Sequence, residues 1–166
     1  MRTCKDCELT TADLRSLDLT KVDLTGADLR AANLSGMHLE EVVLTKAILT
    51  GAHLIGAKMR GVDLGHANLT GANLTDANMQ GVNSYKGIWR SAILVRTNLA
   101  ESELEKIDLT GAVLINVQFS GANLNEGLVT DAIICDTVGS LYISWDELLY
   151  GEDGYGSLLN QNCPSL

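Results

Sequence analysis

Every fifth residue from Leu9 to Ile134 is apolar, with one exception. Nineteen of these 26 positions are leucine, and only Ser84 is polar. A second series of small or apolar residues lies two positions before each of them, and thirteen of its 26 members are alanine. A period of five fits neither the 3.6-residue helix nor the two-residue strand. The pattern therefore predicts a chain that turns a corner every five residues and points two side chains inward on each side.

The residues between these two series have the chemistry of turns. Asp or Asn often precedes the leucine, and Thr and then Gly often follow it. Gly, Asn and Asp are favoured at tight corners. If four such sides close one coil, a coil takes twenty residues and the next coil lies about 4.8 Å further along the axis. The 26 units then form about six and a half coils, a rod of roughly 31 Å.

Several units carry a recognisable signature. Ala27-Asp28-Leu29-Arg30-Ala31, Ala67-Asn68-Leu69-Thr70-Gly71 and Ala122-Asn123-Leu124-Asn125-Glu126 resemble the A(D/N)LXX motif of pentapeptide-repeat proteins. The resemblance covers residues 5–136 and implies an all-β solenoid, the right-handed quadrilateral β-helix of that family. The number of sides and the handedness come from the resemblance, because a period of five fits three sides as well as four. We expect residues 1–136 to form the β-helix and residues 137–166 to form a capping tail.

The tail lacks the fivefold series but holds four of the seven aromatic residues. Ser144-Trp145-Asp146-Glu147 is typical of a capping box that begins a short helix, which we expect to end at Tyr150-Gly151. The sequence therefore predicts a short α-helical cap over the last coil, whose strand edges need a cover.

Inside the repeats, residues 83–87 depart from the pattern without shifting it. Ser84 is expected to face inward and to bond a backbone carbonyl or a water molecule. Trp89 follows Gly87, whose missing side chain is expected to make room for the indole. We interpret this stretch as a degenerate repeat within the core and not as a ligand site.

Outward positions become apolar near the C-terminal end of the repeats. They form an apolar outer stripe, consisting of Ile93, Val95, Val113, Ile115, Leu128 and Ile133. Such a stripe is normally covered. Cys135 lies beside it and Cys163 near the end of the tail, so a disulfide between them would pin the tail onto the stripe. We favour this self-coverage, and hence a monomer, over the alternative of a homodimer interface.

Cys4 and Cys7 form a CxxC motif at the other end of the rod. A structural disulfide, a redox motif, half of a zinc site and two free thiols all remain open. A zinc site lacks further ligands, because His38, His53 and His66 fall on different faces. Two disulfides favour an oxidising compartment. The resemblance to lumenal members of the family favours a thylakoid lumen or periplasm for a mature form without its signal peptide, with the cytoplasm as the alternative.

Charge and composition limit the possible functions. The 166 residues contain 46% hydrophobic residues, and their net charge of −9 disfavours a phosphate-binding surface. No apolar run is long enough to insert into a membrane. Acidic residues at successive outward positions form an acidic collar. Such a collar could bind a basic partner or a cation, or its carboxylates could simply be solvated corner residues. The acidic collar consists of Glu8, Asp13, Asp18, Asp23 and Asp28.

The motifs do not indicate catalysis. The sequence contains no Ser–His–Asp, Cys–His or phosphate-loop pattern, so we expect no enzyme, no cofactor, no metal and no nucleic-acid partner. The leading hypothesis is a rigid scaffold that binds an unknown protein. The alternative comes from the resemblance, because quinolone-resistance members of the family mimic DNA and protect DNA gyrase. Their projecting loops have no counterpart in this chain, which argues against that alternative.

Overall fold

A computed structural model of the chain describes residues 2–137 and residue 163. Within these residues the backbone is a parallel β-helix that contains no α-helix. Its strands are β1 (Arg2–Thr3), β2 (Val22–Asp23), β3 (Ile93–Val95), β4 (Val113–Ile115) and β5 (Ile133–Cys135). β1 pairs with β2, and β4 lies between β3 and β5, with all pairs parallel.

The partners in every pair lie twenty residues apart. Ile93 pairs with Val113, which pairs in turn with Ile133. Isolated parallel bridges continue the same register along the rod, from Glu8–Asp28 to Asp108–Leu128. Twenty residues correspond to four sides of five, which confirms the predicted solenoid. We name the faces by one central inward residue each: Leu74 on face A, Met79 on face B, Ser84 on face C and Trp89 on face D.

The two inward series form one continuous core. Leu69 and Leu74 are fully buried, as are the alanines two positions before them, Ala67 and Ala72. Burial of a leucine side chain contributes about 1.5–3 kcal/mol, and nearly every side of every coil repeats this contribution. The small residue at the second series lets the chain turn the corner without crowding the large one.

The corner residues explain why Asp or Asn precedes the leucine. The Asn68 Oδ1 atom accepts hydrogen bonds from the Thr70 backbone N–H at 3.0 Å and from the Thr70 hydroxyl at 2.7 Å. Asn73 and Thr75 repeat the arrangement. The following residue then adopts the left-handed conformation, as in Gly71 with a φ of +67°, which costs glycine least. The repeat consensus is therefore mainly a turn-forming device.

The irregular residues 83–87 leave the twenty-residue register unchanged, as predicted. Asn83 still pairs with Glu103 and Ile88 with Asp108. Ser84 is fully buried, and its hydroxyl oxygen accepts a hydrogen bond from the indole N–H of Trp89 at 3.1 Å, a partner that was not predicted. Trp89, which also replaces a leucine of the series, thus provides a hydrogen-bond donor for the Ser84 hydroxyl oxygen.

Two predictions lie outside the described residues. The helix predicted from Ser144 to Tyr150 belongs to the part of the chain that the structure does not describe, and the predicted boundary at residues 136 and 137 falls at its edge. Both stay predictions.

Candidate interaction surfaces

The acidic collar surrounds the N-terminal coil, with Asp28 directly above Glu8. Most of its carboxylates are paired with a cation of the same end of the rod. The ion pairs are Asp13–Arg15 at 2.7 Å, Asp18–Arg2 at 3.3 Å, Asp23–Lys5 at 3.1 Å and Asp28–Arg30 at 2.5 Å. A basic partner or a metal ion would have to compete with these cations, so the collar is less negative than its sequence suggests.

Hydrogen bonds within the collar hold its carboxyl groups ionised. The Arg15 guanidinium donates to Asp13 and lowers the pKa of that carboxyl to about 2. Arg30 does the same for Asp28, whose pKa is also about 2. Hydrogen bonds from Thr20 lower the pKa of Asp18. These groups serve as corner acceptors in the same way as the asparagines of later coils.

The structure places the apolar outer stripe on faces A and D and divides it into two parts. On face A, Ile115 is only 4% exposed, and its neighbour in the next coil, Cys135, is 2% exposed. Ile93 is 38% exposed and Leu128 is 54% exposed, while Val95, Val113 and Ile133 are half-buried. The covered part of the stripe is therefore the side next to Cys135.

Both candidate disulfides are present. Cys135 bonds Cys163 across a separation of 28 residues, which fixes residue 163 against face A. Cys4 bonds Cys7, and Cys4 packs against the first coil of the core. Because the CxxC cysteines are joined to each other in this structure, neither one is a metal-binding thiolate. One disulfide bond therefore lies at each described end of the rod.

A shallow depression between the first two coils of face B was not predicted. Leu17 and Met37 occupy the second inward position, where later coils have Ala57 and Ala77. Met37 is buried, whereas Leu17 turns outward to 52% exposure. Within residues 2–137, no bridge joins Asp18 to His38, and the gap is lined by both residues and by Arg15 and Thr20. The size of residue 17 was the signal in the sequence.

A basic column at the corner between faces C and D was also missed. Lys46, His66, Lys86 and Lys106 lie twenty residues apart in successive coils, all with positive φ. We call these four residues the basic ridge. The Tyr85 ring lies beside it, with its centroid 5.2 Å from the Lys86 ammonium, 5.9 Å from that of Lys106 and 5.7 Å from the His66 ring. Sorting the outward residues by twenty would have revealed the column.

The described histidines do not gather into one site. His38 lies on face B, with its Nε2 atom 3.1 Å from the Lys58 ammonium, whereas His66 packs against Tyr85 at the other side of the rod. Within residues 2–137 and 163, no group of three His, Cys, Asp or Glu residues is arranged to hold a metal ion. No helix among the same residues has the length and apolar character needed to span a membrane.

Comparison with known structures identifies similar coils. HetL, a pentapeptide repeat protein involved in heterocyst differentiation regulation from the cyanobacterium Nostoc sp. strain PCC 7120, is 27% identical and has a TM-score of 0.65. The match covers 83% of this chain and 64% of HetL, so the chain spans less than two thirds of that protein. QnrB1, a plasmid-mediated fluoroquinolone resistance protein, is 16% identical with a TM-score of 0.72, over 91% of this chain and 89% of QnrB1.

A third structure comes from a lumenal protein. A pentapeptide repeat protein from the Arabidopsis thaliana thylakoid lumen is 23% identical over 77% of this chain and 72% of its own, but the TM-score of 0.27 is too low to support an argument. Among curated proteins, no sequence matches this chain.

The family model for pentapeptide repeats matches eight copies, over residues 7–45, 47–83 and 92–127. These ranges cover more than half of the chain and coincide with the coils described above. The chain belongs to the pentapeptide-repeat family.

Proposed function

We propose that this protein is a non-catalytic, rigid scaffold that binds a protein partner in an oxidising compartment. The observation that carries the proposal is the twenty-residue register, which extends from the first coil to Ile133 and lacks a bridge only between Asp18 and His38 among the described residues. It holds outward side chains in straight ladders at fixed spacing. A surface that is already ordered loses little conformational entropy on binding, which favours recognition of another protein.

The inside of the rod supports a binding role more than a catalytic one. Inward side chains such as Met79, Trp89 and Phe119 are fully buried and fill the coils. Among the described residues, every buried side-chain nitrogen or oxygen has a hydrogen-bond partner. Since reactive groups in active sites are usually exposed to a cleft and incompletely paired, this interior is suited to stability. Recognition is therefore assigned to the outer faces.

The disulfides support the compartment. A bond that joins Cys135 to Cys163 persists where thiols are not kept reduced, as in a periplasm or a thylakoid lumen. We place the mature protein in such a compartment.

The scaffold is tested by asking whether one face alone binds the partner. Tagged protein is crosslinked in intact cells of its source, and captured proteins are compared among variants that change two outward residues on a single face. Lys58→Glu/Arg60→Glu changes face B, Thr50→Lys/Thr70→Lys changes face D, and matched double variants change faces A and C. The proposal predicts one captured protein that is lost with the variant of one face and retained with the others. Equal recovery of all proteins from all four variants contradicts it.

A DNA-mimicking protector of DNA gyrase is the alternative function. Its support is a narrow rod with a net charge of −9 and a fold shared with QnrB1. The ion pairs of the acidic collar weigh against it, because they neutralise the most acidic end of the rod. Restoration of fluoroquinolone-inhibited gyrase supercoiling by the purified protein would favour this alternative and overturn the scaffold in an oxidising compartment.

A further inference from the structure

Charged residues stacked in successive coils carry opposite signs at two corners of the rod. Asp76 and Arg96, which follow one another at the corner between faces A and B, form an ion pair with a closest distance of 2.6 Å. Lys21 and Glu41 do the same at the corner between faces B and C, at 3.5 Å. Opposite charges in neighbouring strands stabilise pairing, and like charges destabilise it. Stability alone therefore favours alternation of charge along a corner.

The basic ridge breaks this rule. Three lysines and one histidine occupy four successive coils, with neighbours about 4.8 Å apart along the axis. Lys106 is offset by Glu105 and Glu126 at 3.3 and 3.4 Å. Within residues 2–137, neither Lys46 nor Lys86 has a carboxylate at ion-pair distance. The ridge thus keeps two cationic groups, Lys46 and Lys86, that no described carboxylate neutralises.

We propose that the basic ridge, together with Tyr85, binds an extended acidic segment of a partner protein. This inference rests on the scaffold function and gives the chemistry of its partner. Tyr85 lies between the lysines, so its ring holds Lys86 and Lys106 by cation–π contact and offers an apolar surface to the bound chain. The ridge is about 14 Å long, the length of four or five residues of extended chain.

Flanking acids determine that the ligand is narrow. Glu103 and Glu105 lie beside the ridge on face C. A broad anionic surface such as a lipid bilayer would meet these carboxylates at the same time as the lysines. A single extended strand along the corner meets Lys46 and Lys86, and it meets the carboxylates of Glu105 and Glu126 only at the Lys106 end. The geometry therefore favours an acidic peptide over a membrane.

The test measures fluorescence anisotropy of a fluorescein-labelled hexaglutamate peptide with the full chain at low salt. Lys86→Gln/Lys106→Gln is expected to weaken binding about fivefold, the upper range for losing an exposed ion pair. Lys58→Gln/Arg60→Gln on face B removes the same charge and is expected to change it less than about twofold. Thermal melting of both variants checks that the fold is intact.

Other outcomes overturn the inference. The peptide site does not exist if the unaltered protein fails to bind the hexaglutamate probe, or if both double variants weaken binding equally. Binding to phosphatidylglycerol vesicles that is lost in the Lys86→Gln/Lys106→Gln variant, without peptide binding, assigns the ridge to lipid instead. None of these results affects the face-specific capture that tests the scaffold, so the two proposals fail separately.

Tyr85 provides a second variant. Tyr85→Phe keeps the ring that contacts the lysines and is expected to retain peptide binding. Tyr85→Leu removes the ring and is expected to weaken binding about two- to fivefold, since exposed cation–π contacts contribute about 0.5–1 kcal/mol. Equal affinity of the two variants would remove Tyr85 from the site.

Discussion

The indole N–H of Trp89 donates a hydrogen bond to the Ser84 hydroxyl oxygen at 3.1 Å in the core of the rod, where both residues are fully buried. The polar exception in the leucine series and the largest residue in that series therefore form one unit. Gly87 completes it. A Cβ atom at Gly87 would lie 2.2 Å from the Ser84 hydroxyl oxygen and 2.9 Å from the indole nitrogen.

Gly87→Ala tests this unit. The added methyl group overlaps two buried polar atoms and the Ser84 carbonyl oxygen at 3.1 Å, so we expect a loss of about 1–3 kcal/mol in the free energy of unfolding. Gly71→Ala is the matched control, because it has open space around the new methyl group and suffers only from its φ of +67°. Urea denaturation compares them. If Gly71→Ala is the more harmful change, the three-residue unit is wrong.

Removal of the serine hydroxyl leaves the indole N–H without its partner. Ser84→Ala is expected to cost about 1–3 kcal/mol, the penalty for a buried donor that loses its hydrogen bond. Trp89→Phe removes the indole N–H donor itself. It lowers the free energy of unfolding for another reason, because the smaller ring fills the core less completely. In a double-mutant cycle the two changes together should cost less than the sum of the single changes. Strict additivity would show that the hydrogen bond contributes nothing to stability.

Inward and outward positions of neighbouring units should respond differently to the same side chain. Leu74 is fully buried on face A, so Leu74→Lys puts an unpaired charge into the core and is expected to unfold the rod. Thr70→Lys lies outward; it loses the hydroxyl bond to Asn68 but keeps the backbone bond. Its expected cost is at most about 1 kcal/mol. Similar melting curves for the two variants would contradict the register.

The N-terminal carboxylates of Asp13 and Asp28 should resist protonation until the pH is low. The pKa values of Asp13 and Asp28 are lowered from 3.8 to about 2 in the folded protein. Their stabilising contribution is complete above pH 3.8 and is lost as the pH falls toward 2. NMR titration of the carboxyl carbons should give midpoints near 2. Arg15→Gln should raise the Asp13 midpoint and leave that of Asp28 in place. A midpoint of Asp13 that stays near 2 would exclude Arg15 as the main cause.

The two disulfides should contribute unequally. Loop closure predicts about 3–4 kcal/mol for the 28-residue separation of Cys135 and Cys163 and about 2 kcal/mol for the short loop of Cys4 and Cys7. Cys135→Ala/Cys163→Ala should therefore lower the melting temperature more than Cys4→Ala/Cys7→Ala. The first pair should also expose Ile115 to solvent. A larger effect of the N-terminal pair would show that strain or local packing outweighs chain entropy.

The fold could be predicted from the sequence because each side of the coil repeats the same local rule. Leu74 faces inward for the same reason as Leu69, and an error at one position would be corrected by the other units. The pairing of Ser84 with Trp89 could not be predicted, since it depends on where an indole nitrogen lies in three dimensions. Its only signal was the coincidence of a polar residue, a glycine and a large residue within one turn.

The surface was harder to predict than the core. Asp13 and Asp28 were grouped by position alone, and their neutralisation depends on side-chain rotamers of Arg15 and Arg30 that a sequence does not specify. The basic ridge was accessible to the same twenty-residue count that located the apolar outer stripe. It was overlooked because its lysines are isolated along the chain and become neighbours only after the coils stack.

The most direct test of the proposed scaffold is non-reducing peptide mapping by mass spectrometry on protein from its native source. Thiols are blocked at the moment of lysis, so the cysteine linkages report the compartment in which the rod works. We predict Cys4 linked to Cys7 and Cys135 linked to Cys163, with no free thiol at any of the four. Four blocked thiols and no linkage would contradict the scaffold in an oxidising compartment.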